Sequence, residues 1–235
     1  MLIRITIVAS LVGLACLTCC SKREPVVAAP EVEWPEGTIL VIDGVPIFQQ
    51  EIDELIEALR LMDPDKTLPQ LQRYALTNVA LPRVVGMQLD TRHREVVMEQ
   101  AERLHATLLA GGEPGEDQPE MRVFEQGWWK DAGIDVWAKA RNMEAGEWTV
   151  HESVGSFLIF RLREKPPEPW GRRTAMPIEM YILPYLPQED PKALLEDGID
   201  FMNMEILDPK WRTLVPQHYK NRMDAVTPGS EVEKS

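Results

Sequence analysis

Apolar residues recur at helical spacing in three stretches of the chain. Ile52, Leu55, Ile56 and Leu59 share one stripe and predict a helix over 49–62, ended by Asp63-Pro64-Asp65. Leu68, Leu71, Ala75 and Val79 predict a second helix from 68 to 81, with Thr67 as its cap and Pro82 breaking or kinking it. Val97, Ala101, Leu104 and Leu108 predict a third over 91–109, stopped by Gly111-Gly112. The apolar run 84–89 reads equally as helix or strand. Short apolar runs at 39–42 and 45–47 flank Asp43-Gly44 and predict a hairpin. Further strands are expected at 121–124, 148–150 and 156–162, with a short helix over 134–142 between the first two. The runs 178–186 and 201–207 are also β-rich, and Asp208-Pro209 opens a short turn carrying Trp211 and Leu214. Helices and strands alternate too irregularly for a parallel α/β fold. The expectation is α+β, with a helical N-terminal module and a small antiparallel sheet built from 121–124, 148–150 and 156–162.

Composition narrows the function classes. The 235 residues carry a formal net charge of −13, which repels phosphate backbones and argues against a nucleic-acid partner. The acidic residues scatter along helices and the tail, as expected of solvated faces. The three cysteines, Cys16, Cys19 and Cys20, all lie at the N-terminal end, so the folded part can form no disulfide and has no Cys nucleophile. His93, His105, His151 and His218 are never three or four residues apart, so no metal site is expected. The stretch "LAGGEPGE" follows a helix and lacks the Lys-Ser/Thr of a phosphate loop, and no Gly-x-Ser-x-Gly elbow occurs. No cofactor is expected.

The first residues carry an address. An apolar run of about 15 residues follows Arg4, the length of a signal-peptide core and short for a spanning helix. With Leu17-Thr18-Cys19 before Cys20, it resembles a bacterial lipoprotein signal. That resemblance implies a signal peptide over 1–19, lipidation at Cys20 and a membrane-anchored protein of the bacterial cell envelope, facing the periplasm or exterior. An uncleaved membrane anchor is the alternative. Residues 20–37, with Pro25, Pro30 and Pro35, read as a solvated tether, and 227–235 as a disordered tail.

Two further segments resemble the parvulin-type peptidyl-prolyl isomerases and their envelope chaperone relatives. "VIDGVPIFQQEIDELIEAL" is similar to the start of the chaperones' N-terminal module, although Phe48 stands where a Thr or Ser cap is usual. Gly127-Trp128-Trp129, Met143-Glu144-Ala145-Gly146-Glu147 and Val154-Gly155-Ser156-Phe157-Leu158-Ile159 follow the order of the parvulin Gly-Trp-Phe, Pro-Gly-Glu turn and last strand. The resemblance implies a strand and helical module over 38–110, a parvulin-like segment over 111–167 and, unexplained by it, a β-rich extension over 168–226. It also implies a pair of histidines, one in the last strand and one in a first strand near 84–89. Phe157 occupies the first of these positions and 84–89 contains no His, so no catalytic residue is assigned. Trp128, Trp129, Trp137, Met143 and Phe157 are the candidate lining of a peptide-binding groove, with burial in the core as the competing reading. Three functions stay open. One is an anchored chaperone that binds unfolded or Pro-containing segments with weak or no isomerase activity. The others are an isomerase with an altered site and a structural lipoprotein that serves as an assembly module.

Overall fold

The computed structural model describes residues 33–115, 117–127, 132–186, 198 and 202–216. Cys20, the signal segment, Trp128, Trp129 and the tail lie outside the described residues.

Strands β1 (Thr38–Ile42) and β2 (Val45–Phe48) form the expected hairpin. Asp43 and Gly44 both take positive φ, 44° and 84°, which matches the turn to the twist of the strands. The Asp43 carboxylate accepts from the backbone N–H of Asn203 at 2.9 Å. This contact helps hold β7 (Met204–Ile206), which pairs antiparallel with the other edge of β1. Helix α1 (Gln49–Met62) has the bounds its periodicity predicts and starts without a side-chain cap, as the Phe48 position implies.

The second helix does not end at Pro82. It runs as α2 (Leu68–Ala75), a wider π turn (Leu76–Ala80) and α3 (Leu81–Leu89). Pro82 has no N–H for the carbonyl of Asn78, four residues back. The chain absorbs this by widening, with Leu81 N–H donating to the Leu76 carbonyl five residues back. The first strand that the resemblance places near 84–89 is therefore corrected to helix. Val84 and Val85 are both fully buried there, and burial outweighs the strand preference of β-branched residues. Helix α4 (Thr91–Leu109) follows, with Val97, Ala101 and Leu104 buried and the Asp90 carboxylate capping its first turn.

The larger sheet contains β3 (Arg122–Gly127), β4 (Thr149–Ser153), β5 (Ser156–Leu162) and β6 (Met176–Pro184) in the order β3-β6-β5-β4, all antiparallel. Helix α5 (Ile134–Arg141) lies between β3 and β4 in sequence. The fold is α+β. The segment 168–226, which the sequence sets apart as an extension, supplies the inner strand β6 of one sheet and the edge strand β7 of the other. Asp208 caps the short 3-10 turn Pro209–Thr213 through the Lys210 N–H, as expected of Asp-Pro.

Both faces of the larger sheet are covered. Leu158, Phe160, Leu162, Ile178 and Met180 join a core with α1, α2, α3 and α5. Phe157, Ile159, Tyr181 and Leu183 join a second core with Val97, Ala101 and Leu104 of α4. Truncating fully buried Phe160 to Ala should cost about 3–5 kcal/mol of unfolding free energy, whereas Val123→Ala at an exposed position should change it by less than about 0.5 kcal/mol. Urea unfolding of both variants checks this.

Candidate functional site

Of the expected groove residues, Trp137, Met143 and Phe157 are described, and the structure does not bring these three into one groove. Trp137 is fully buried and meets Trp170 edge-on, with ring centroids 5.4 Å apart. Met143 is buried in the same core. Phe157 lies on the opposite face of the sheet, in the second core, with its ring 5.5 Å from Tyr185. Trp170 and Tyr185, which pack against Trp137 and Phe157, both come from beyond residue 167.

Polar side chains converge instead on β4. Consecutive strand residues point to opposite faces, so His151 and Ser153 lie on one side and Glu152 on the other. On the first side, Asp135 in the opening turn of α5 is the hub. Its Oδ2 accepts from the Ser153 hydroxyl at 2.8 Å and lies 2.9 Å from His151 Nε2. Gly133 starts this helix at φ 94° and ψ 149°, a backbone state essentially restricted to glycine. A Cβ there would lie 2.6 Å from Asp135 Oδ1, so only glycine lets the chain close over the carboxylate. Burial would push the Asp135 carboxyl up. The hydrogen bond and charge of His151, with the Ser153 hydroxyl and the Val136 N–H, outweigh this and hold it below the ordinary range.

On the second side, Arg94 of α4 grips Glu152 with two bonds of 2.6 Å, Nε to Oε1 and Nη2 to Oε2. The Tyr185 hydroxyl donates to the same Oε1 at 3.0 Å. The hydrogen bond to Glu152 raises the Arg94 pKa. Burial, followed by the Glu152 charge, raises that of Tyr185, which keeps the phenol a donor. The Arg94 guanidinium carbon is 5.8 Å from the centre of the Phe157 ring.

The chain matches no family model, no curated protein and no solved structure.

The chemistry of the Asp135 hub is positional. A hydrolytic relay needs the serine on the imidazole and the carboxylate behind it. Here both donors end on the same carboxylate oxygen, and among the described residues no hydrogen bond joins Ser153 to His151. The hub ties α5 to β4. It borders an open cleft of about 290 Å³ between α5, the β4–β5 turn and the helix that carries the π turn. Sequence spacing missed the hub because Asp135 is 16 and 18 residues from its partners. The one available signal was His151 and Ser153, two apart in a strand.

Because the Asp135 carboxyl is lowered in the fold, its stabilisation is complete above its unfolded value of about 3.9 and is lost as pH falls through the lower native value. Asp135→Asn should lose about 1.5–3 kcal/mol at pH 7 and show a flatter dependence of stability on pH below about 4. Urea titrations between pH 2 and 7 read both effects.

Proposed function

We propose that this protein is a membrane-anchored, parvulin-like peptide-binding chaperone of the bacterial cell envelope, with weak or no prolyl isomerase activity. The observation that carries the reading is the environment of residue 157. Isomerisation makes no covalent bond and depends on dipoles placed to favour a twisted amide. Phe157, where the resembled family has its strand histidine, is 4% exposed and covered by Tyr185. The polar groups nearest it are committed to one another, since Arg94 and Tyr185 both bond Glu152. The Tyr185 hydroxyl and the Arg94 Nε–H are thus engaged within the protein, which weighs against an isomerase with an altered site. The helical module precedes an antiparallel sheet that includes Ser156–Leu162, the order that the resemblance implies, and this supports binding without the family's chemistry.

The structural-lipoprotein reading draws support from the burial of Trp137, Met143 and Phe157 as core. Two assays separate the three functions. Uncatalysed isomerisation takes tens to hundreds of seconds. The full chain at micromolar concentration should leave the relaxation of a Pro-containing peptide within about twofold of that rate, while slowing aggregation of a denatured client. Catalysis at the level of an ordinary parvulin would reject the reading. Failure to slow aggregation would favour the structural module. Phe157→His should not restore catalysis, because it supplies one imidazole and no second histidine.

Lipidation at Cys20 is tested separately. Stable anchoring takes more than one acyl signal, which a lipoprotein N-terminus supplies. Cys20→Ala should move the protein out of the membrane fraction with its signal unprocessed or miscleaved. Continued sedimentation with membranes would mean that the apolar segment itself is the anchor.

A further inference from the structure

We propose that the cleft beside Asp135 is where a polypeptide is held, and that it takes a neutral stretch of backbone bearing an aliphatic side chain. The inference rests on the peptide-binding reading and gives it a place. Its volume of about 290 Å³ is at the low end of ligand sites, which suits one or two residues of a chain rather than a larger molecule. The cleft lies on the face of β4 opposite Phe157, so it does not depend on the position where the resembled family has its histidine.

The free polar groups at its edge define the ligand. Tyr74 near the end of α2 and Asn78 within the π turn lie four residues apart, and a π turn is a distortion found often at functional sites. Among the described residues the Tyr74 hydroxyl has no hydrogen-bond partner, although Lys66 Nζ sits 5.4 Å from its ring. The Asn78 Oδ1 accepts from Thr77 at 2.7 Å, and among the described residues its Nδ2 has no hydrogen-bond partner. These two donors, on exposed Asn78 and half-buried Tyr74, are placed to meet an acceptor such as a peptide carbonyl. On the other wall Ser153 donates to Asp135, and its oxygen lone pairs remain to accept a peptide N–H.

Charged ligands fit poorly. Asp135 takes hydrogen bonds from His151, Ser153 and the Val136 N–H, and Gly133 closes over its Oδ1. An incoming cation would find the carboxylate already engaged and His151 beside it. An anion would be set against a half-buried carboxylate. Val79, Ile134 and Val154 complete the wall with apolar surface for an aliphatic side chain.

The test uses the full chain and three dye-labelled, end-blocked hexapeptides that differ at one central position, Leu, Lys or Glu, read by fluorescence anisotropy. The Leu peptide should bind at least about fivefold more tightly than either charged one. Tyr74→Phe and Asn78→Leu should each weaken it about fivefold, the effect of one lost hydrogen bond, with the melting temperature unchanged. Preference for the Lys or Glu peptide would overturn the assignment. So would variants that bind the Leu peptide and a denatured client as the parent does, and that result would leave the peptide-binding reading standing. A parent chain that binds neither the peptides nor a client would overturn both.

Discussion

The insertion of β6 between β3 and β5 is the constraint on which the rest of the structure depends. Strand side chains alternate, and β5 and β6 have apolar residues on both faces, so each strand feeds two cores at once. A slip of one residue would exchange the two sets, sending Phe160 toward α4 and Ile159 toward α5. Cross-strand charge opposes such a slip. Arg161 faces Glu179 in register and bonds it at 2.7 Å, while its guanidinium lies 4.6 Å from the Trp148 ring. The same insertion brings in the aromatic covers. Trp170 precedes β6 and seals Trp137, and Tyr185 follows it and seals Phe157.

Edge strand β4 carries the alternation into polar chemistry. His151 and Ser153 pin α5 through Asp135, and Glu152 pins α4 through Arg94 and Tyr185. Opposite faces of three consecutive residues thus anchor helices on both sides of the sheet. Such pins add less net stability than the apolar cores, because each charged group must first leave water. Their contribution is to geometry. Losing one partner strands the other, so each pin favours a single placement of its helix.

The helices and the hairpin were legible in the sequence because their signals are local. The stripe Ile52, Leu55, Ile56 and Leu59 and the pair Asp43-Gly44 each fix an element from a few neighbouring residues. The strands of the larger sheet were legible singly, but neither their order nor the place of β6 among them was. The pairing of Ile159 with Tyr181, and of Leu40 with Ile206, is set by distant contacts that no periodicity encodes. Pro82 misled for a related reason. Its missing N–H is a local penalty, and a wider turn inside a buried helix accommodates it. The candidate site was least legible. Large aromatics read as groove or core according to what covers them, and the covers Trp170 and Tyr185 lie in the stretch that the resemblance leaves unexplained.

The core that joins helices and sheet bears on what such a scaffold can do. Ile52 of α1, Leu76 of the π turn and Val84 of α3 share one apolar cluster with Trp137, Phe160 and Trp211. Gly86 of α3 meets the β4–β5 turn so closely that a Cβ would lie 3.3 Å from the Gly155 nitrogen. The N-terminal helices therefore cannot shift as a body without opening the core against which the sheet folds. A cleft bounded by the π turn on one wall and by α5 and the β4–β5 turn on the other inherits that rigidity. Its walls are held by the same core, which Val79 and Ile134 join, so little further ordering would be needed for a segment to enter. Preorganisation of this kind allows a small surface with few hydrogen bonds to retain a ligand.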